Sequence, residues 1–207
     1  SKVLTQVGAD AFGDFILETL SLCQVDITAV KRTKQYPTAL AFVALDEKGN
    51  RDFTFYRDPC ADLHLSAEDI TATMFQDCGI LHFCSVDLVD SPMKYAHLKA
   101  IQLAKEQSAV ISFDPNVRLP LWSSEEDCKN TILEFAPYAD ILKISDDELF
   151  FLTGQKDWEH IFTVFPNATI ILLTCGKQGS YLMTKKHHLY EKSIPVKAID
   201  TTGAGDA

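Results

Sequence analysis

Apolar positions along the chain fall into two periods, and the change between them marks the first structural boundary. Val3 to Val7 reads as a strand. Asp10 to about Cys23 reads as a helix, because Phe12, Phe15, Ile16, Leu20 and Cys23 recur near helical spacing. Pro37 then starts a β-rich run, Thr38 to Leu45, which stops at Asp46-Glu-Lys-Gly-Asn50 and resumes over Arg51 to Arg57. Two β-prone segments around a glycine-containing turn predict a hairpin. In its second arm Phe53, Phe55 and Arg57 alternate with Asp52, Thr54 and Tyr56, so both faces carry large groups. Such a hairpin is expected to cover something rather than lie flat on solvent.

From Ser66 onward, helical and strand patterns alternate. Ser66-Ala-Glu-Asp69 is capping-box-like and predicts a helix to about Phe75. Gly79 to Phe83, Ala109 to Phe113 and Ile141 to Ile144 predict short strands. Ser91 as cap and Pro92 in the first helical position predict a helix to about Gln107. Ser124 to about Tyr138 predicts a helix with acids in its first turn. Ser145-Asp-Asp-Glu148 caps a further helix, which Gly154 ends. Another helix is expected around Trp158 to Phe165, followed by a strand from Ala168 to Thr174. Tyr181 to Thr184 and Leu189 to Lys192 predict a second hairpin. Several strands are apolar throughout, which argues an α/β fold with a parallel, doubly wound sheet buried on both faces. Residues 1–30 and 60–207 are assigned to this α/β core, and residues 31–59 to the β segment.

Composition narrows the function classes. At 207 residues, 46% hydrophobic and 23% charged, the chain supports a substantial core and is too apolar for a disordered one. Its 19 basic and 29 acidic residues leave a net charge of −10, which argues against nucleic-acid or anionic-membrane partners. A local basic pocket for a phosphorylated ligand is still allowed. Apolar runs such as Ala168 to Leu173 are too short to span a bilayer, and Ser1 leads straight into a strand with no signal peptide ahead of it. The six cysteines show no C-x-x-C spacing and mostly lie in apolar runs, which fits reduced, buried thiols in a cytoplasmic protein. Histidine spacing gives no zinc motif.

Candidate chemistry concentrates in loops that follow strands. The final Thr201-Thr-Gly-Ala-Gly-Asp-Ala207 reads as a strand-to-helix turn. Gly203 and Gly205 let backbone amides turn inward without a Cβ in the way, which makes an anion-binding nest with Asp206 beside it. Phosphoryl transfer to a hydroxyl needs that pairing: the nest stabilises charge on the moving group, and the carboxylate accepts the proton. From its residues alone, a plain turn explains the loop equally well. A Rossmann G-x-G-x-x-G cannot be completed here, and no Walker P-loop occurs in the chain. The turn stops where a helix is expected to follow, so the chain reads as a fragment of something longer.

Thr174-Cys-Gly176-Lys-Gln-Gly179 follows the most apolar strand, a position that suits a nucleotide phosphate or ribose. A simple glycine turn into Tyr181 is the blander account. Asp114-Pro-Asn-Val-Arg-Leu-Pro-Leu-Trp122 also follows a strand. Its prolines stiffen a loop that presents Asn116 and Arg118, an amide and a donor fork suited to hydroxyl or carbonyl groups. The alternative pairs Arg118 with Asp114 and buries Trp122. Ser145 and Glu148 are sufficiently explained as a capping box, and a free Glu148 carboxylate near phosphates would also hold magnesium through water.

Taken together, these residues resemble the ribokinase-like (PfkB) family of carbohydrate kinases, over essentially the whole chain. Asp200-Thr-Thr-Gly-Ala-Gly-Asp206 matches the family's second signature nearly residue for residue, which favours the phosphate site over the plain turn. Val7-Gly8-Ala-Asp10-Ala-Phe12-Gly13 is similar to its V-G-x-D-x-F-G segment, and Thr174-x-Gly176-x-x-Gly179 to its nucleotide-contacting turn. Residues 38–57 resemble its substrate lid, through which relatives often dimerise. Asp114 to Trp122, Phe53 to Arg57 and Leu142 to Glu148 look most like fructokinases, and next like 2-keto-3-deoxygluconate kinases.

The resemblance implies a ribokinase-like fold with a β-hairpin lid, truncated at both ends. The family's glycine-rich first signature and its C-terminal closing elements are not in the chain, which as it stands is expected to be a poor catalyst. The implied reaction is phosphorylation of a ketohexose by ATP with Mg2+, fructose to fructose 6-phosphate, in a cytoplasmic homodimer paired through the lid. Asp206 is then the base that deprotonates the sugar hydroxyl, with Gly203, Ala204 and Gly205 around the anion hole. Thr174, Gly176, Gly179 and Ser145 face the nucleotide, and Arg57, Asn116 and Arg118 the sugar. Glu148 reaches magnesium through water, and Asp200 and Thr202 lie where relatives bind a monovalent cation such as K+. Ser145 is a departure, standing where many relatives have Asn. A reading from a different class is a non-catalytic module that binds sugar or nucleotide, or dimerises through the hairpin.

Overall fold

A computed structural model describes residues 1–45, 51–155 and 158–196, which divide into two units. The first comprises Ser1–Gln76 and Asp87–Leu103, the second Asp77–Val86 and the residues from Ala104 onward.

In the first unit, β1 (Lys2–Gly8) and β2 (Asp26–Thr33) run parallel and are joined by α1 (Ala11–Leu22). The helix starts where expected because the Asp10 side chain accepts the Gly13 amide at 2.8 Å. Its apolar Phe15 and Leu22 are exposed. β3 (Leu40–Leu45) and β4 (Arg51–Tyr56) form the antiparallel hairpin, with Leu40 opposite Tyr56 and Val43 opposite Phe53. That register sets Val43, Phe53 and Phe55 on one face and Phe42 and Tyr56 on the other, so large groups do lie on both. The expected turn, residues 46–50, lies outside the described residues. The helix expected from Ser66 is instead two 3-10 turns, Ala67–Asp69 and Ala72–Phe75. Its capping box forms, yet Ile70 and Thr71 are extended, and β-branched residues at both positions favour that backbone over a continuing helix. α2 (Pro92–Glu106) begins at proline as predicted, although the Ser91 hydroxyl is buried without a hydrogen-bond partner rather than capping it.

The second unit holds a six-stranded sheet ordered β10-β9-β8-β7-β6-β5. β5 (Ile80–Cys84), β6 (Val110–Asp114), β7 (Ile141–Ser145) and β8 (Ile170–Thr174) are parallel, while β9 (Ser180–Met183) and β10 (His188–Glu191) add an antiparallel hairpin. α3 (Glu125–Phe135) crosses from β6 to β7, and α4 (Asp146–Thr153) with the short α5 (Ile161–Val164) crosses from β7 to β8. The strands advance in one direction, so crossovers of the usual right hand set these helices on one side. That side is the core. Phe83 stacks on Phe113 at 4.7 Å and meets the edge of Phe135, beside buried Ile111, Leu142, Ile144, Ile171 and Leu173. Each such side chain contributes about 1.5–3 kcal/mol.

The opposite face carries Ile80, Val110, Leu172 and Leu182, of which Ile80 is 62% exposed, together with the buried Asp114. The helix expected from Trp158 to Phe165 shrinks to the four residues of α5: His160 supplies no side-chain cap, three of the four are β-branched, and Pro166 follows. Cys60 and Cys128 are buried, and burial pushes both thiols up to about 12; Cys23, in contrast, is exposed.

Candidate active site

The four parallel strands end at Cys84, Asp114, Ser145 and Thr174, and register aligns Cys84 with Asp114 and Ser145 with Thr174. The carboxyl edge of an open α/β sheet is where ligands bind, because backbone amides and helix starts face the crevice there. Asn116, Arg118, Ser145, Glu148, Thr174, Gly176 and Gly179 all belong to this edge or to the loops that leave it.

Ser145 caps α4. Its hydroxyl accepts the Glu148 amide at 3.2 Å, while its own amide and hydroxyl donate to Glu148 Oε2, each at 2.9 Å. The capping box read from the sequence is thus complete. Glu148 does more than close it: Oε1 accepts the amide of Val117 at 2.9 Å. Asp114 acts alongside. Its Oδ1 accepts the Asn116 amide at 3.1 Å, and its Oδ2 accepts from Lys143 Nζ at 2.8 Å. Burial raises the Asp114 carboxyl above its usual range, the Lys143 ammonium opposes this, and the charge of Glu148 adds to it. The Ser85 hydroxyl donates to the Pro115 carbonyl, so the loop after β6 is tethered from three sides. Asn116 sits in the left-handed region with φ of 43°, and Trp122 is buried.

The alternative that pairs Arg118 with Asp114 does not hold. Lys143 occupies Asp114, and the exposed Arg118 donates to the Val117 carbonyl. The Asp114–Lys143 pair was missed by the sequence reading. Its signal was there: Lys143 is the one charge in the apolar strand Ile-Leu-Lys-Ile-Ser.

Beyond β8, Gly176 to Gln178 form a 3-10 turn, with Cys175 donating its amide to the Gly179 carbonyl at 2.8 Å. Gly176 has φ of 51°, and a Cβ on Gly179 would lie 2.2 Å from the Glu191 carbonyl oxygen. Both glycines therefore have conformational reasons to be glycine, and the turn leaves Thr174 at the strand edge beside Ser145.

In the first unit, Arg57 donates through Nε to Asp62 at 2.9 Å and through Nη2 to Asp62 and Asp87, so two carboxylates engage this sugar-side candidate. Asp62 Oδ1 is buried without a partner. The Val7-to-Gly13 motif is a hydrogen-bonded knot. Asp10 Oδ1 accepts the Thr38 hydroxyl and Oδ2 the Thr38 amide, both at 2.8 Å, and the Gly8 amide donates to Thr38 Oγ1 at 2.9 Å. A Cβ on Gly13 would meet the Gly8 carbonyl oxygen at 2.2 Å.

Asp200, Thr202, Gly203, Ala204, Gly205 and Asp206 lie outside the described residues. Among the described residues, no group of three or more His, Cys, Asp or Glu is placed to hold a metal ion, and no helix is long and apolar enough to cross a membrane.

Comparison with known proteins gives a consistent answer. The family model for the pfkB family carbohydrate kinases matches residues 1–207. Fructokinase-2 of Solanum lycopersicum is 39% identical over 210 residues, covering all of this chain and 64% of its own length. The fructokinase of Solanum tuberosum is likewise 39% identical over 210 residues, 63% of its length. The chain thus spans just under two thirds of these relatives. The crystal structure of a Vibrio cholerae O395 fructokinase with fructose, ADP and calcium ion bound superposes with a TM-score of 0.90 at 36% identity, over all of this chain and 67% of that one. That of a Xylella fastidiosa fructokinase with bound ATP gives a TM-score of 0.90 at 30% identity, over 98% of this chain and 64% of that one. The fold is therefore ribokinase-like, and the chain belongs to the PfkB family of carbohydrate kinases.

Proposed function

We propose that the natural polypeptide carrying these residues transfers the γ-phosphoryl group of ATP to a hydroxyl of a ketohexose, giving fructose 6-phosphate from fructose. One observation carries the reading. The pinned loop after Asp114 and the glycine turn after Thr174 leave the same edge of a parallel sheet, in a chain that matches a sugar-kinase family along its whole length. The Vibrio and Xylella relatives, described with fructose and ADP and with ATP, support the substrate classes.

In this reading Thr174, Gly176, Gly179 and Ser145 serve the nucleotide, and Asn116 and Arg118 the sugar; Arg57 is a sugar-side candidate on sequence similarity alone. Asp206 takes the proton of the attacking hydroxyl, while the amides of Gly203, Ala204 and Gly205 stabilise charge on the moving phosphoryl. Asp200 and Thr202 serve a monovalent cation such as K+. Sequence similarity alone supports these last roles. Magnesium, which supplies charge neutralisation on the phosphates, fits Glu148 only through water, since Oε2 already accepts from both the amide and the hydroxyl of Ser145 and Oε1 from the Val117 amide, which leaves one lone pair, on Oε1. A cytoplasmic homodimer completes the proposal; exposed Phe42, Val43 and Tyr56 on the hairpin support pairing there.

A second reading has its own observation: among the described residues the exposed Arg118 guanidinium donates only to the neighbouring Val117 carbonyl, and it suits the carboxylate of a sugar acid. A substrate screen with ATP decides. Turnover of fructose supports the first reading, and preference for 2-keto-3-deoxygluconate the second. Calorimetry that finds sugar and nucleotide binding without phosphate transfer would instead make the protein a binding module.

A further inference from the structure

The loop that presents Asn116 and Arg118 is fastened by two carboxylates on successive amides: Asp114 takes Asn116 N–H and Glu148 takes Val117 N–H. Like charges side by side repel, and partial burial strengthens the repulsion. The Asp114 side chain is 7% exposed and the Lys143 side chain 19%, so their contact at 2.8 Å is shielded from water. Lys143 projects from the middle of β7, between the core residues Leu142 and Ile144, onto the sheet's other face. Asn116 has a left-handed backbone, a conformation that Asn adopts more readily than most side chains and that its amide's bond to Asp114 supports.

We infer that Lys143 is a positioning residue: its ammonium offsets the repulsion between Asp114 and Glu148 and thereby fixes the turn that presents Asn116 and Arg118. Because Glu148 Oε2 also binds the Ser145 amide and hydroxyl, the same cation sets the Asn116 loop in register with the end of β7. The sugar-side consequence rests on the proposed function; the fixing of the loop does not.

Amide hydrogen exchange on the 207-residue chain tests the fixing directly, with residues 170–174 of the buried strand β8 as internal reference. K143M is expected to speed exchange over residues 115–121 about tenfold with the reference unchanged, and K143R to restore protection to within about twofold. Where K143M loosens the reference as well, K143Q, which removes the charge and keeps a polar head group, is read by the same criteria. Unchanged exchange over 115–121 in both variants overturns the inference. In the natural polypeptide, K143M is expected to raise the fructose KM about fivefold and leave the ATP KM within about twofold. A rise in the ATP KM alone, with exchange unchanged, assigns Lys143 to the nucleotide and also overturns it. Faster exchange with an unchanged fructose KM upholds the positioning role and instead removes Asn116 and Arg118 from the sugar site.

Discussion

Glu148 Oε1 accepts the Val117 amide at 2.9 Å across 31 residues of sequence, while its other oxygen closes the capping box at Ser145. One carboxylate joins the first turn of α4 to the loop after β6. Glu148→Ala should therefore cost more than a lost cap. About 1 kcal/mol for the cap and about 1 kcal/mol for the stranded Val117 amide give roughly 2 kcal/mol. Glu148→Gln, which keeps one acceptor, should lose about half as much. Urea midpoints of the two variants check this, and equal losses would mean that the Val117 bond adds nothing.

Gly13 and Gly79 form a matched pair. A methyl group on Gly13 would meet the Gly8 carbonyl oxygen, whereas Gly79 has nothing within 4 Å. Gly13→Ala should destabilise by about 1–3 kcal/mol through overpacking, and Gly79→Ala should stay within about 0.5 kcal/mol of the parent. Thermal melts of both variants check the contrast.

Acid should weaken the knot at Asp10. The Gly13 amide and then the Thr38 amide hold its carboxyl below the usual value. A carboxyl depressed by folding adds stability that is present above its unfolded pKa and lost as pH falls through the lower folded value. The urea-midpoint difference between the parent and Asp10→Asn should be constant above about pH 5 and shrink below about pH 4. A difference independent of pH over that range would show that the charge of Asp10 plays no part.

Local signals made much of the fold legible. Asp10, Ser124 and Ser145 each cap the helix that follows, Gly154 ends α4 in the left-handed conformation, and the strands fall where the apolar runs lie. What escaped was set by long-range contacts. β2 reads Asp-Ile-Thr-Ala-Val-Lys-Arg-Thr, five of its eight residues polar, and becomes a strand through parallel pairing with β1. The box at Ser66 is real, but Ile70 is buried in an extended conformation and the helix stops. At the site, the capping role of Glu148 was readable from spacing alone. Its bond to Val117 and the Asp114–Lys143 pair depend on elements the sequence does not place together, and so, within the first unit, does the hold of Asp62 and Asp87 on Arg57.

The proposed role of Asp206 is to take the proton of the attacking sugar hydroxyl. Turnover of fructose by ATP for Asp206→Asn in the natural polypeptide, measured alongside nucleotide affinity, tests that role. A fall in kcat of about 100-fold or more is expected, with the ATP Kd within about twofold of the parent. Retention of more than about a tenth of the parent rate would contradict it, because a positioned base contributes on the order of 100-fold or more.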